Sequence, residues 1–369
     1  MKLKTIIPTI IMIACILGGC NAYPTSSTPP ATTQQTDAAQ DTEKTENRST
    51  EEKSSLSDSK EKTGKPSADQ ASATDKKTSE NGLDVVFFMG ESNMSGFGGE
   101  ASLAPKVSEN AGVEFRAISD PTKLYPISEP FGKDENEPDG LNDYPGAKKG
   151  SLVSSFVKEY NDLTGRRIVA VSASMGSADM DKWTSDGVMK DVKNRFNTTL
   201  AFLEDNDYKA AHIYAVWLQG ESDGLKGSAE STYKDALDKF MKPLFKSGLE
   251  KVFIIVPGRT IDYTDIYQNV INAQIDMCTN DDHYALATTV LTKVNTEFMT
   301  DQYQYNQHVL NYVGAEAAKS VAFFTENGVK KIVYDYKQGK YIVPKGIKEG
   351  SQDKDALVYP SELDINSLY

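Results

Sequence analysis

Histidine, cysteine and tryptophan are all scarce in this chain: three, three and two in 369 residues. His212, His283 and His308 stand far apart or singly, with no ligand spacing among themselves or with Cys15, Cys20 and Cys278, so no zinc-type site is expected. No metal and no cofactor are inferred. Cationic side chains are in deficit too, 40 Lys and Arg against 53 Asp and Glu, for a formal charge of -13. That balance disfavours nucleic acid and anionic membrane surfaces as partners and favours neutral ligands. The apolar run Thr5 to Leu17 is short for a bilayer span, so a membrane-crossing helix is not the first reading of the N-terminus.

That run is instead flanked in a telling way. Lys2 and Lys4 precede it and Gly18-Gly19-Cys20 follow at once: a charged start, an apolar stretch and small residues before a cysteine. The arrangement resembles a bacterial lipoprotein signal. The resemblance implies a signal peptide over 1–19, cleavage before Cys20 and acyl chains on the Cys20 sulfur. The remainder would then be lipid-anchored to the cell membrane outside the cytoplasm. An uncleaved anchor helix is the alternative. With Cys15 removed and Cys20 acylated, Cys278 has no disulfide partner and reads as a small buried residue. Residues 20–82 are Thr, Ser, Lys, Glu, Asp, Gln and Ala with almost nothing large and apolar. Such a segment cannot offset its chain entropy by burial and reads as a tether, with a typical reach of roughly 40–45 Å.

Residues 83–345 suit one α/β domain, with a polar tail over 346–369. Strand-like runs (Val85 to Met89, Arg167 to Ser172, His212 to Leu218, Val252 to Val256, Tyr284 to Thr288) alternate with amphipathic helical ones. The helical runs are Leu152 to Leu163, a stripe from Val188 to Leu203, Tyr233 to Phe245, Ile266 to Met277, and Asn306 to about Phe324. This order predicts a three-layer, doubly wound parallel sheet with its site at the carboxyl ends of the strands. Lys331 to Tyr336 and Lys340 to Val343 predict a small hairpin around Gln338-Gly339. The segment between Gly96 and Leu152 reads as a polar loop.

Four motifs fall at predicted strand ends: Gly90-Glu91-Ser92-Asn93-Met94; Ser174-Met175-Gly176-Ser177 with Trp183 after it; Trp217-Leu218-Gln219-Gly220-Glu221-Ser222-Asp223; and Asp301 to Asn306 ahead of the last helix. A glycine that ends an apolar strand and presents a serine displays a nucleophile at a fixed point, beside backbone amides that stabilise an oxyanion.

On these motifs the chain resembles the SGNH hydrolases, in particular the carbohydrate-esterase branch with sialate O-acetylesterases and acetylxylan esterases. The family's opening Gly-Gln-Ser-Asn-Met stands here as Gly90 to Met94, and its Trp-x-Gln-Gly-Glu-x-Asp block is matched by Trp217 to Asp223. The resemblance covers residues 84 to 326. It implies Ser92 as nucleophile, the Ser92 and Gly176 N–H groups with the Gln219 side chain as the oxyanion hole, and Glu221 and Asn93 as orienting residues. It also implies an Asp301-x-x-His pair, and there the chain departs: Gln304 stands at the histidine position. Glutamine has no titratable nitrogen and cannot take the serine's proton.

Other bases stay open. His308 lies one turn beyond, although its helical phase puts it on a flank of the buried stripe of Val309, Val313, Ala317 and Val321. Glu91, in place of the family glutamine, is expected to point to solvent by strand alternation, and Asp301 is freed of its usual partner. The expectation is therefore a serine-type O-acetylesterase acting on an acetylated carbohydrate. The alternative is a glycan-binding relative impaired in turnover by Gln304, and a third reading is a scaffold with a vestigial site. Trp183, Trp217 and Tyr303 are candidates for stacking on sugar faces.

Overall fold

The structure, a computed structural model, describes residues 82–352. The expected signal peptide over 1–19, Cys20, the expected tether up to residue 81 and the tail beyond 352 lie outside the described residues. In chain order the elements are β1 Leu83–Gly90, α1 Ser92–Ser95, β2 Gly112–Arg116, β3 Asp120–Pro126, α2 Val153–Thr164, β4 Arg167–Ser174, α3 Met180–Trp183, α4 Asp186–Asp205 and β5 Ala210–Leu218. They continue with α5 Glu221–Lys226, α6 Glu230–Lys246, β6 Lys251–Ile255, α7 Gln268–Asn280, β7 Tyr284–Thr288, α8 Gln307–Asn327, β8 Val333–Asp335 and β9 Lys340–Ile342.

Seven strands form one sheet in the order β3-β2-β4-β1-β5-β6-β7, parallel throughout except for β3, which runs antiparallel to β2 at the edge. The order reverses direction on either side of β1, the arrangement that opens a crevice at the carboxyl ends of central strands. β1 is buried on both faces, and its side chains divide by the two-residue period of a strand. Val85, Phe87 and Met89 enter one core with α4, α6 and α7, while Val86 and Phe88 enter the other with α2 and α8. Phe87 stacks on Phe196 of α4 at 4.9 Å, and Phe88 meets Phe156 of α2 edge-on at 5.2 Å. Each fully buried ring of this kind stabilises the fold by about 1.5–3 kcal/mol.

Register fixes where the site lies. Gly90, the last residue of β1, pairs with Ser174 at the end of β4 and with Leu218 at the end of β5. Three of the four motifs thus leave the sheet at one level on adjacent strands. Gly90 has φ +146°, and a Cβ there would sit 1.8 Å from the Leu218 carbonyl oxygen, so only glycine makes this turn.

The predicted strands, main helices and terminal hairpin are present. The segment after Gly96 differs from its reading as a polar loop, because it holds β2 and β3. β2 is too short to announce itself, and β3 is an exposed edge strand carrying Pro121 and Pro126, with no alternation of apolar and polar residues.

Candidate functional site

Ser92 opens α1 directly after the Gly90-Glu91 turn and is 8% exposed. Its Oγ accepts a hydrogen bond from Gln304 Nε2 at 3.0 Å. The residue at the expected base position therefore touches the serine across 212 residues of sequence, as a donor rather than an acceptor. The loop that delivers Gln304 is pinned on both sides. Asp301 Oδ1 accepts from the Tyr303 and Gln304 amides at 2.8 and 2.9 Å. Asn93 then grips the same loop, its Nδ2 donating to the Tyr303 carbonyl at 3.1 Å and its Oδ1 accepting from the Tyr305 amide at 3.1 Å. Asp301 thus shapes the loop through its backbone.

Asn93 Nδ2 also donates to Glu221 Oε1 at 3.0 Å, which ties the first, third and fourth motifs together. Glu221 is held behind Asn93, and burial raises its carboxyl above the usual range.

Glu91 corrects its expectation. It is 1% exposed and turns away from solvent onto the first turn of α5. Its Oε1 accepts from the Gly220 amide at 3.0 Å, the Ser222 amide at 3.2 Å and Gln219 Nε2 at 2.9 Å, while Oε2 takes the Ser222 hydroxyl. The turn forced by Gly90 breaks the strand alternation on which the solvent reading rested. Burial, followed by the neighbouring Glu221 charge, pushes the Glu91 carboxyl up to about 8, although the Ser222 and Gly220 donors pull the other way.

Gln219 and Gly176, expected as oxyanion donors, are engaged elsewhere. Gln219 is fully buried, and its Nε2 faces three acceptors: Asp223 Oδ2 at 2.7 Å, Glu91 Oε1 at 2.9 Å and the Ala178 carbonyl at 3.1 Å. Its Oε1 accepts from Tyr233 at 2.7 Å. An amide with two hydrogens and three acceptors has none left for a ligand. The Gly176 amide donates to Asp143 Oδ1 at 2.8 Å. Asp143 is in turn held by Ser95 Oγ at 3.3 Å and lies 3.6 Å from the buried Lys148 ammonium, which donates to Ser174 Oγ at 3.1 Å. Burial lowers the Lys148 pKa, with Asp143 opposing. Asp143 and Lys148 were not singled out from sequence, where they fall in the segment read as a polar loop. The Ser92 amide, at the first position of α1, belongs to the amides that a helix leaves without an internal partner.

The histidines stay apart from Ser92's hydrogen bond. His212, early in β5, pairs with Glu250 at 3.0 Å, and His283, just before β7, pairs with Asp281 at 3.0 Å. Both mark the amino ends of strands, opposite the motifs. His308 sits half-buried in the first turn of α8, between the buried Gln307 and Val309. Trp183 and Trp217 are fully buried against each other at 4.8 Å and belong to the core, whereas Tyr303 is 41% exposed beside Gln304. Cys278 is a buried free cysteine, as expected of a small residue without a disulfide partner.

Residues 82–322 match the family model of carbohydrate esterases described as sialic acid-specific acetylesterase. The chain belongs to this family. Solved structures similar to it include a protein of Arabidopsis thaliana at 15% identity, covering 67% of this chain and 99% of that one with a TM-score of 0.46. NanS is similar at 11% identity, covering 67% and 98% with a TM-score of 0.43. A carbohydrate acetylesterase from Xanthomonas citri is similar at 12% identity, covering 68% and 58% with a TM-score of 0.40. No match was found among curated proteins. In this chain Ser92, Asn93, Glu221 and Asp301 form one connected cluster that brings Gln304 to the serine.

Proposed function

We propose that this chain recognises acetylated carbohydrate at the Ser92 centre and turns it over slowly. The observation that carries the reading is the 3.0 Å hydrogen bond from Gln304 Nε2 to Ser92 Oγ. An amide holds the hydroxyl in place yet cannot accept its proton, and a positioned base contributes ~10²–10⁴-fold to such an attack. The commitment of the Gly176 amide to Asp143 and of Gln219 to Glu91 and Asp223 supports the same direction, since donors already bonded stabilise no oxyanion.

Hydrolysis, where it occurs, runs by Ser92 Oγ attack on the acetyl carbonyl with the serine's proton passing to the departing sugar oxygen, and water then cleaves the acetyl-serine to acetate and free Ser92. An active O-acetylesterase is the second reading, favoured by Ser92 standing at the central strand end with Asp301 ordering the loop beside it. Binding of O-acetylated glycans, measured next to acetate release on the same preparation, separates the two. Tight binding with background release is the expected result; release that keeps pace with binding overturns it. Ser92→Ala lowers affinity for acetylated ligands, and unchanged affinity would remove Ser92 from the site.

The lipoprotein-like start, Lys2 and Lys4 before an apolar run that ends in Gly18-Gly19-Cys20, supports the further proposal of an acyl anchor at Cys20 and a location outside the cytoplasm. Cys20→Ser is expected to move the protein from the membrane to the soluble fraction; continued membrane retention contradicts the anchor.

A further inference from the structure

We propose that Gln304 is itself a ligand-binding residue whose Oε1 accepts a hydrogen bond from a free sugar hydroxyl adjacent to the acetyl group, so that the site prefers partially acetylated glycans. The inference rests on the reading that acetylated carbohydrate binds at Ser92, and deepens it.

The Gln304 side chain is nine-tenths buried, with its nitrogen spent on Ser92 and its Oε1 buried with no hydrogen-bond partner among the described residues. A buried carbonyl oxygen left unpaired is destabilising, and native proteins seldom tolerate one without a water or a ligand to fill it. Its position is fixed rather than accidental. The backbone of Gln304 is tied to Asp301, and the residues on either side are both tied to Asn93. The acceptor is therefore preorganised within one amide group's width of Ser92.

The hydrogen bonds also assign polarity. Because Ser92 Oγ accepts from Gln304 Nε2, the serine's own hydrogen is left to donate outward, toward an ester carbonyl. The pair thus offers one donor and one acceptor side by side. An acetyl ester supplies the matching acceptor, and a neighbouring free hydroxyl on the sugar supplies the matching donor. A fully acetylated sugar lacks the donor and an unacetylated one lacks the carbonyl. Tyr303, the residue before Gln304, is 41% exposed and offers an aromatic ring on which a sugar face can pack.

The test uses the full chain on an array of neutral oligosaccharides and sialosides, each unacetylated, partially acetylated and fully acetylated, followed by titration with the best binder in its three forms. Partial acetylation is expected to give about 10-fold tighter binding than full acetylation, equivalent to about 1.4 kcal/mol. Gln304→Met, which keeps the length and removes the acceptor together with the Nε2 donor, is expected to bring that ratio to about 1. A thermal midpoint of the variant near that of the parent shows that it folds. Equal affinity for the two acetylated forms overturns the inference alone, since a water on Oε1 then explains the acceptor. A preference for the fully acetylated form also overturns it, by reversing the polarity. Absence of binding to every array member overturns the parent reading with it.

Discussion

Glu91→Gln is expected to make the protein less sensitive to alkaline pH, and the structure gives both the sign and the size. The Glu91 carboxyl rises from the ordinary 4.5 to about 8, first through burial and then through the Glu221 charge. The folded state therefore holds a proton that the unfolded chain has released, and stability falls as pH climbs from about 4.5 toward 8, then levels off. At about 1.4 kcal/mol per pH unit the loss reaches ~5 kcal/mol as a ceiling, reduced by whatever Glu221 shares of the same proton. Glutamine fits the same space. Its oxygen accepts from the Gly220 and Ser222 amides as Glu91 Oε1 does, and its nitrogen faces the Ser222 hydroxyl, which also accepts. Urea midpoints taken every pH unit from 4 to 9 read the effect directly. The two proteins should differ little near pH 4 to 5, and the variant should gain several kcal/mol on the parent by pH 9. Parallel curves across that range would refute the claim that Glu91 is a buried proton store.

Gly176→Ala would place a methyl group 2.5 Å from the Phe97 ring, and a destabilisation of about 1–3 kcal/mol in denaturant unfolding is expected from the forced shift. Asp143→Ala strands the Lys148 ammonium and the Gly176 amide, so a loss of about 3–5 kcal/mol is expected, larger than for Asp143→Asn, by the same assay. His308→Asn is expected to leave acetate release and glycan affinity within about twofold of the parent; a loss of ~10²-fold or more in release would make it the relocated base.

The parts of the molecule most legible from sequence were those that depend on local pattern. Val85 to Met89, Val252 to Val256 and Tyr284 to Thr288 announce buried strands by unbroken apolar runs, and the stripe through Val309, Val313, Ala317 and Val321 phases α8 correctly. The contact between Gln304 and Ser92 followed from the alignment of one short motif. The orientation of Glu91, Gln219 and Gly176 did not. Each is decided by a partner far away in sequence: Glu91 by Ser222, Gln219 by Glu91 and Ala178, Gly176 by Asp143. A serine motif fixes where the chain turns, whereas which donors remain free depends on the carboxylates that other loops bring to them. Asp143 carried no signal because one acid among several, Asp134, Glu135, Glu137 and Asp139 before it, in a polar loop reads as surface. β3 was hidden for the opposite reason, as an exposed edge strand buries too little to impose a pattern.

The central claim, that Gln304 leaves Ser92 positioned without a base, is tested most directly by acetate release from p-nitrophenyl acetate and from an acetylated polysaccharide, with the full chain as wild type and as Gln304→His. The account predicts release near background for the wild type and a rise of ~10²-fold or more in the variant, abolished again by adding Ser92→Ala. Strong wild-type release that Gln304→His leaves unchanged or lowers would contradict it.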